Sequence, residues 1–519
     1  MMKQETTTDK KPQKFTGVFI ISLFLTACVG AWGLIDSDSM TGAFGGFTSY
    51  MLKNLSWYWL LITTGLLILI CYMAFGPYAH IRLGKDDERP EFSTLSWLSM
   101  LFASGMGAGL LFWGVAEPIS HFQNPPGMAG GTAQAAREAF VITNLHWGFH
   151  AWAIYGMCAL VIAYFSFRRG MAATISAPIT VLFSSKAGKS FCTAADVLGV
   201  LAVVFGLAGS LTMGIFQISG GLNTVFDLRP STALSLMIMA ALFVSYMVSA
   251  STGLGKGIKI LSQLNMLLAI TLLAIVIIFG PTVFIMETFV NSIGEYVTRL
   301  PEMSFKLFPF EGLSGWMSGW TLTYLIWWLA WGPFVGVFIA RISRGRTIRE
   351  FCLGVVLVPT LFSILWFSAF GGSAIYMEMF GGGGISEAVS ADVTSALFQF
   401  LDNFPVGHLL GVLACVLIFI FLVTSADSGT FVLSMLTMDG NLNPALSHKL
   451  IWGVLIAAIT TATVLSGSVP VAMAMAIVGA LPFSVFLLLQ IVGFLREIRK
   501  ELREPASENA IVPTTSKEG

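Results

Sequence analysis

The chain has 519 residues, of which 55 % are hydrophobic and only 11 % are charged. This is too little charge to cover the surface of a water-soluble protein of that length, so the composition predicts a membrane protein. The 28 basic and 28 acidic side chains balance to a net charge of zero, and we therefore expect no nucleic-acid partner.

Apolar runs long enough to cross a bilayer core of roughly 30 Å recur along the chain. They predict twelve membrane-spanning helices, at 17–35, 56–77, 96–117, 138–166, 193–222, 232–252, 260–281, 317–340, 350–377, 407–437, 450–467 and 470–495. The stretch 282–316 has the pattern of an amphipathic helix at the outer interface. We expect one membrane domain, 15–495, between an N-terminal tail, 1–14, and a short C-terminal tail, 496–519.

The basic residues are distributed unequally between the two sides of these spans. With a cytoplasmic N-terminus, all but five of the 28 Lys and Arg residues fall on the inner side, and the five are Lys53, Arg137, Arg229, Arg299 and Lys306. Because Lys and Arg are retained on the cytoplasmic side, we expect both termini in the cytoplasm. The membrane that we expect for the protein is a bacterial plasma (inner) membrane.

Two of the predicted spans carry helix breakers near their centres. The third contains Gly105, Gly107 and Gly109, and the eighth contains Gly332-Pro333. Broken backbone at membrane depth is tolerated only where it packs in protein or lines a cavity. These spans are the first of two successive groups of five, 3–7 and 8–12, and breaks at corresponding positions are typical of transporters built from inverted repeats.

Aromatic residues cluster in the fourth and eighth spans. Trp147, Trp152 and Tyr155 fall within about 140° of one helix face at 100° per residue. Trp328 lies 13 residues before Arg341, roughly 20 Å along a helix, and thus near the bilayer centre. Such rings either pack as plain core or form a box for a methylated cation. The tryptophans near span ends are expected in the interfacial belt, namely Trp57, Trp59, Trp97, Trp316 and Trp320.

Polar residues within apolar spans are the other candidates for function. Thr424 and Ser425 either bond back to their own helix or contribute oxygen ligands to a cation. Asp427 is either part of a proton relay or an anchor between helices. Glu117-Pro118 is predicted to end the third span at the outer surface, and the basic loop around Arg344 either contacts anionic lipid or reflects charge segregation alone.

Four strings carry a family resemblance: GMGAGLLFWGVAEP, HWGFHAWAIY, WWLAWGPFVGVFIARISRGRTIRE and FLVTSADS. They resemble the signature segments of the betaine/choline/carnitine transporter family, over about residues 15–495. The resemblance implies an all-α membrane fold of twelve helices with two five-helix inverted repeats, like those of sodium-coupled amino-acid symporters. It also implies a homotrimer surrounded by membrane lipid.

Carried over position by position, the resemblance implies a substrate site and an ion site. The aromatic box is Trp147, Trp152, Tyr155 and Trp328, with Trp331 on the exit side and Phe112 as a gate. The backbone from Ala103 through Met106 to Gly109 receives the substrate carboxylate. A sodium ion is held by Ala103, Met106, Phe421, Thr424 and Ser425. A second sodium site lies between Phe334 and the fifth span, which offers Ser210 and Thr212.

Choline carriers of the family tend to have an aspartate where this chain has Gly109, and a pure cation needs such a carboxylate. We therefore expect a zwitterionic quaternary-ammonium or sulfonium substrate, with glycine betaine first, imported with sodium and without an enzymatic cofactor. Proton-coupled or exchange transport of choline, carnitine or dimethylsulfoniopropionate is the alternative.

Two further expectations concern regulation and class. The balanced charges of the C-terminal tail predict little osmotic regulation. A membrane enzyme or a channel is the alternative class, but the sequence shows neither the HExxH motif of a metalloenzyme nor the repeated filter loop of a channel.

Overall fold

The computed structural model describes residues 15–105, 107–183, 185–252 and 257–503. Within these ranges all regular elements are helices. One isolated antiparallel backbone bridge also links Arg82 to Thr347. The first part of the chain forms α1 Gly17–Ile35, α2 Ser37–Asn54, α3 Ser56–Phe75, α4 Thr94–Gly105, α5 Ala108–Gln123, α6 Ala133–Trp147, α7 Phe149–Ala163, a π-helical turn Tyr164–Arg168, α8 Ala177–Thr180, α9 Lys186–Phe226, α10 Thr232–Thr252 and α11 Gly257–Phe279.

The second part continues with α12 Thr282–Met303, α13 Ser314–Gly319, α14 Thr321–Ile342, α15 Ile348–Phe380, α16 Ile385–Ala391, α17 Ala396–Asp402, α18 Gly407–Leu436, α19 Leu446–Leu465, α20 Val469–Ile477 and α21 Ala480–Arg503. Eleven helical segments of the described chain are long and apolar enough to cross a membrane. They correspond to all the predicted spans except the third, which consists of two shorter helices, α4 and α5.

The break in the third span lies where the glycines predict it, between Gly105 and Ala108. The predicted end of that span at Glu117-Pro118 is wrong. Helix α5 continues to Gln123 with Pro118 inside it, and Glu117 is fully buried. A proline within a membrane helix is tolerated when neighbouring helices pack around the distortion. Here Pro118 lies against Gly371 of α15, where an added Cβ would approach the proline ring to 2.5 Å.

The predicted break at Gly332-Pro333 is also wrong, because α14 runs without interruption through both residues. The glycines of this stretch serve close packing instead. A Cβ at Gly332 would lie 2.9 Å from Cys158 Sγ, and one at Gly336 would lie 2.7 Å from Cys158 Cβ. Helices α7 and α14 therefore approach each other along this seam.

An interruption that the sequence analysis missed occurs in the fourth span, between α6 and α7 at Gly148. The Tyr296 hydroxyl accepts a hydrogen bond of 2.9 Å from the backbone N–H of Phe149, one of the amides that the break leaves without a helical partner. Only a glycine fits there, since an added Cβ would lie 2.6 Å from that hydroxyl.

Two loops on one side of the molecule clamp each other. Backbone bonds of 2.8 Å join Leu83 to Arg346 and to Gly345, and Arg344 pairs with Glu88. Arg346 stacks on Trp97 at 4.0 Å from the ring centroid, with its side chain 1 % exposed. The basic side chains of this loop are thus paired with protein groups.

Two of the tryptophans expected in the interfacial belt lie inside the protein. Trp59 and Trp97 are buried, so for these two the prediction is wrong, whereas Trp57 is exposed.

The Glu88 carboxyl group makes the stability of the clamp between the two loops depend on pH. The backbone N–H of Lys85 and the Arg344 side chain lower the pKa of Glu88 below its ordinary value. A carboxyl group with a lowered pKa in the folded state stabilises that state at neutral pH and loses the effect as the pH falls through the folded pKa. The clamp is therefore strongest at neutral pH and weakens in acid.

Candidate functional site

A partly enclosed cavity lies between α5, α7, α9, α14 and α18. The centre of a water molecule can reach about 70 Å³ of it, several times the space that one buried water needs. Its wall brings together five of the residues implied by the resemblance, Gly109, Phe112, Trp147, Tyr155 and Trp328, with Trp331 as a sixth. These residues lie as far as 222 positions apart in the chain, so the fold assembles them.

The aromatic rings of the cavity meet edge to face. Trp328 lies 5.1 Å from Trp147 at an interplanar angle of 79°, and 5.5 Å from Tyr155 at 87°. Nearly perpendicular rings present faces from two directions to one volume, which is the geometry that holds a cation without hydrogen-bond donors. The arrangement can therefore bind a methylated onium group.

The two other predicted tryptophans differ in their relation to the cavity. Trp152 is absent from the cavity wall and packs behind Tyr155, at 5.8 Å and 83°. Trp331 lines the cavity, and its Nε1 donates to the Gly206 carbonyl at 3.2 Å. Trp327 also lines the cavity, although the sequence analysis did not single it out.

Gly109 lies on the cavity wall, close against the ring of Trp147. A Cβ added to it would lie 3.0 Å from Cη2 of Trp147, closer than most side chains tolerate. A side chain at this position would therefore displace the Trp147 ring or occupy the cavity itself. The glycine keeps the space beside Trp147 for a ligand.

Polar groups on α9 complete the cavity, and sequence reasoning found only part of them. Gln217 is 1 % exposed, lines the cavity, and its Oε1 has no hydrogen-bond partner among the described residues. Ser210, which the sequence offered only as a possible ion ligand, also lines it with an unpartnered hydroxyl. Buried polar groups normally find partners. A polar ligand in the cavity would supply them.

The two hydroxyls of the pair on α18 have different surroundings. The Thr424 hydroxyl donates to the Phe421 carbonyl at 2.9 Å and accepts from Asn265 Nδ2 at 3.2 Å. Ser425 lines the cavity, and a Cβ at Gly107 would lie 3.6 Å from its Oγ. The structure thus brings Phe421 and Ser425 to the break, while Thr424 bonds back to its own helix and contacts α11.

Two residues named for this ion site remain outside that geometry. Ala103 belongs to α4, two residues before the end of that helix, and Met106 lies outside the described residues. Asn265, which the sequence analysis missed, is buried on α11 with its Oδ1 unpartnered among the described residues. The donor set of hydroxyl, carbonyl and amide oxygens fits a hard cation such as sodium.

The second predicted ion site has less support. Phe334 is buried and packs on Trp331 at 5.4 Å. The Thr212 hydroxyl bonds back to the Ala208 carbonyl at 2.9 Å and lies 3.5 Å from the Thr460 carbonyl, away from the cavity wall. Ser210 is therefore the hydroxyl of α9 that faces the cavity.

A buried network stands directly behind the Trp147 ring. Glu117 Oε2 accepts from Trp147 Nε1 at 2.7 Å, and its Oε1 lies 2.6 Å from His146 Nδ1. The His146 carbonyl in turn accepts from Trp328 Nε1 at 2.7 Å. Because these contacts fix the polar edges of both indoles, their faces remain available to the cavity. Glu117 carried no signal in the sequence beyond its position beside a proline.

Asp427 lies on α18, 2 % exposed, and accepts a hydrogen bond from Ser249 of α10. This contact joins two helices, as a structural anchor would. The carboxylate is not part of the cavity wall.

Apolar helices that enclose a cavity lined by rings and a few polar groups define a class: a polytopic membrane protein with a buried site for a small molecule. Comparison with known families identifies it further. The signature of the family described as "BCCT, betaine/carnitine/choline family transporter" matches residues 17–503. The chain belongs to this family, and it is an integral membrane transporter rather than an enzyme.

Similar proteins cover almost the whole chain. It is 42 % identical over 491 residues to the glycine betaine transporter OpuD of Bacillus subtilis, covering 94 % of this chain and 95 % of that protein. It is 38 % identical to an ectoine/hydroxyectoine transporter of Virgibacillus pantothenticus, covering 95 % and 97 %. A glycine betaine transporter of Acinetobacter baylyi is 37 % identical, covering 93 % and 73 %.

Proposed function

We propose that this transporter imports a zwitterionic compatible solute, with glycine betaine as the first candidate. The observation that carries the proposal is the set of perpendicular rings, Trp147, Tyr155 and Trp328, around a cavity kept open at Gly109. The rings would hold the trimethylammonium head. The carboxylate would lie toward the broken backbone near Gly107 and the amide of Gln217, which line the same cavity.

Ectoine is a second candidate, because one relative is named as an ectoine/hydroxyectoine transporter. Ectoine is also a zwitterion, in which a ring amidinium replaces the quaternary nitrogen. The amidinium N–H groups need acceptors, and the unpartnered Gln217 Oε1 would provide one. The same residue would thus decide between the two solutes.

Sodium is the proposed coupling ion, held by Phe421, Thr424 and Ser425 together with Ala103 and Met106. Support comes from the Ser425 hydroxyl, which lies close to Gly107 at the α4–α5 break, and from Asn265 beside Thr424, whose Oδ1 has no hydrogen-bond partner among the described residues. Phe334 with Ser210 is the proposed second sodium position. Sodium bound at the first position would stabilise the break, so that ion and substrate binding favour each other.

The arrangement we propose in the membrane has twelve spans, with α4 and α5 together forming the third. Spans 3–7 and 8–12 are the two inverted repeats. The domain 15–495 lies in the bacterial plasma (inner) membrane as a homotrimer contacting lipid, with both tails cytoplasmic. The positive-inside rule supports the orientation, and family membership supports the repeats and the trimer.

The experiment is uptake of radiolabelled glycine betaine into proteoliposomes under an imposed sodium gradient. We expect sodium-dependent accumulation that unlabelled betaine and ectoine reduce and choline does not. Gln217→Leu is expected to weaken competition by ectoine more than competition by betaine. Uptake driven by a proton gradient or by internal substrate, and indifferent to sodium, would overturn the ion site while leaving the ring box.

A further inference from the structure

A second cluster of potential ligands lies near the end of α5 that leads into the 124–132 loop. Glu117 and His121 are one turn apart on α5, and His146 faces them from α6. Glu117 Oε1 lies 2.6 Å from His146 Nδ1 and 3.4 Å from His121 Nε2. One ligand atom from each residue lies within 4.8 Å of the other two, and all three side chains are 0 % exposed.

His121 is the observation that hydrogen bonding within the protein does not explain. Neither of its ring nitrogens has a hydrogen-bond partner among the described residues. Its ring stands 4.5 Å from that of Trp320 and 5.6 Å from that of Trp316, so apolar faces surround it. Apart from the 3.4 Å approach of Nε2 to Glu117, the buried imidazole forms no polar contact that would offset its loss of water, and a bound ligand would supply one.

We propose that Glu117, His121 and His146 form a binding site for a divalent transition metal ion such as Zn²⁺. Two imidazoles and a carboxylate are a donor set that zinc uses in proteins, with a water as fourth ligand. Zinc–ligand distances of about 2.0–2.2 Å place tetrahedral ligand atoms roughly 3.3 Å apart. The present spacing of 2.6 Å and 3.4 Å around Glu117 Oε1 brackets that value.

Metal binding requires His146 to change its tautomer. Because a carboxylate oxygen only accepts, Nδ1 carries the hydrogen in the contact with Glu117, and Nε2 accepts from the Thr321 hydroxyl at 2.9 Å. A metal at Nδ1 moves that hydrogen to Nε2, where the Thr321 oxygen accepts it. The same threonine therefore supports both states, as the outer partner of a metal-bound histidine does.

The site would act on transport through Glu117. The carboxylate holds Trp147 by a bond of 2.7 Å, and Trp147 is part of the cavity wall. A metal that recruits the Glu117 carboxylate fixes this end of α5 against α6. We therefore expect bound Zn²⁺ to lock the bundle near the Trp147 ring and to inhibit uptake.

The test measures metal binding directly on the purified full chain in nanodiscs, by calorimetric titration with Zn²⁺. Co²⁺ serves as a spectroscopic probe, because its visible absorption distinguishes four-coordinate from six-coordinate sites. We expect one high-affinity ion per protomer and a four-coordinate Co²⁺ spectrum. Binding does not require transport, so this result is independent of whether glycine betaine is the substrate.

His121 is the residue to vary, because it does not line the cavity. We expect His121→Gln to retain betaine uptake and to weaken Zn²⁺ binding by at least about tenfold, since even the loss of an outer-shell partner costs that much. His121→Cys, which offers another zinc ligand, is expected to restore binding. His150→Gln, a buried histidine one turn along, and His408→Ala, an exposed one, are the controls.

Zinc inhibition of uptake provides the second readout, and it should be weaker in His121→Gln than in the unmodified protein. The proposal is overturned if the unmodified protein binds no zinc. It is equally overturned if His121→Gln binds zinc or is inhibited by it as the unmodified protein is, or if His408→Ala alone abolishes binding.

Discussion

The tryptophans of the cavity are held by their edges. Trp147 donates to a carboxylate and Trp328 to a backbone carbonyl, each at 2.7 Å. An indole whose N–H is already satisfied has only its faces to offer, and a face attracts a cation without requiring a hydrogen-bond donor. The hydrogen bonds thus determine which chemistry the cavity can recognise.

Substitution Trp328→Leu tests this recognition. Loss of one ring is expected to weaken betaine binding by about two- to thirtyfold, corresponding to roughly 0.5–2 kcal/mol. Trp452→Leu is the matched control, because Trp452 is a fully buried tryptophan on α19 that is absent from the cavity wall. It should lower thermal stability and leave the affinity of the folded protein unchanged. Equal losses of betaine affinity in both variants would mean that Trp328 serves packing rather than substrate recognition.

The glycine beside Trp147 supports a second prediction. Gly109→Ala places a Cβ 3.0 Å from the Trp147 ring, so we expect reduced betaine affinity with little loss of expression. In Gly65→Ala the new methyl has no neighbour within 4 Å, and uptake should be unaffected. The comparison is a competition assay on both variants, and unchanged affinity in Gly109→Ala would contradict the close approach.

At the residue scale, the sequence predicted the rings but not what holds them. Trp147, Tyr155 and Trp328 belong to recognisable strings, and the structure places all three on one cavity. Glu117, Gln217 and Asn265 are single polar residues within apolar runs, without a periodic pattern. Their partners lie on other helices, so only the folded chain relates them.

At the scale of the element, the seam between α7 and α14 carries the cavity. Its closeness depends on Gly336, where an added Cβ would lie 2.7 Å from Cys158 Cβ and 3.3 Å from the Ala159 backbone nitrogen. The sequence predicted that the neighbouring Gly332-Pro333 would loosen the helix. Packing against α7 keeps that helix intact, and this packing is invisible in a single apolar run.

Gly336→Ala should therefore force the two helices apart and cost roughly 1–3 kcal/mol, as overpacking does. Cys158→Gly removes the opposing Cβ and should relieve most of this cost in the double variant. Thermal unfolding of both single variants and the double variant gives the coupling energy between the sites. Additive effects would mean that the seam does not restrict these positions.

The clamp between the two loops is a further element with a measurable role. Arg346 stacks on Trp97 and donates to the Phe92 carbonyl at 2.9 Å. Lysine cannot stack and fork in this way, so Arg346→Lys is expected to lower the unfolding free energy by about 1–2 kcal/mol. Arg344→Lys, at a side chain 47 % exposed, should cost much less because exposed pairs contribute little. Comparable losses in the two variants would show that stacking on Trp97 is unimportant.

At the scale of the whole molecule, the C-terminal part of α21 contacts the π-helical turn that follows α7. Arg168 pairs with Glu501 at 2.5 Å, and Arg169 pairs with Glu497 at 2.9 Å. The sequence shows balanced charges along this helix, which pair with neighbours one turn away. Lys500 does pair with Glu497, but the acidic residues also contact the π-helical turn, which a reading confined to neighbours along the chain cannot detect.

These contacts bear on whether the C-terminal helix regulates transport. A helix whose acidic side chains are already engaged by the membrane domain is held in place, and few of its acidic groups are left to respond to ionic strength. We expect Glu501→Gln to lower the midpoint of thermal unfolding, since it removes acceptors for Arg168 and for the Tyr164 hydroxyl at 2.8 Å. The buried fraction of this pair makes the loss larger than for a surface pair. Arg499→Gln, at an exposed side chain of the same helix, should leave the midpoint unchanged.

Betaine uptake, measured across a series of external osmolalities, should follow the same curve in the unmodified protein and in Arg499→Gln. A steep osmotic activation that Glu501→Gln abolishes would instead identify the contacts between α21 and the π-helical turn as a switch.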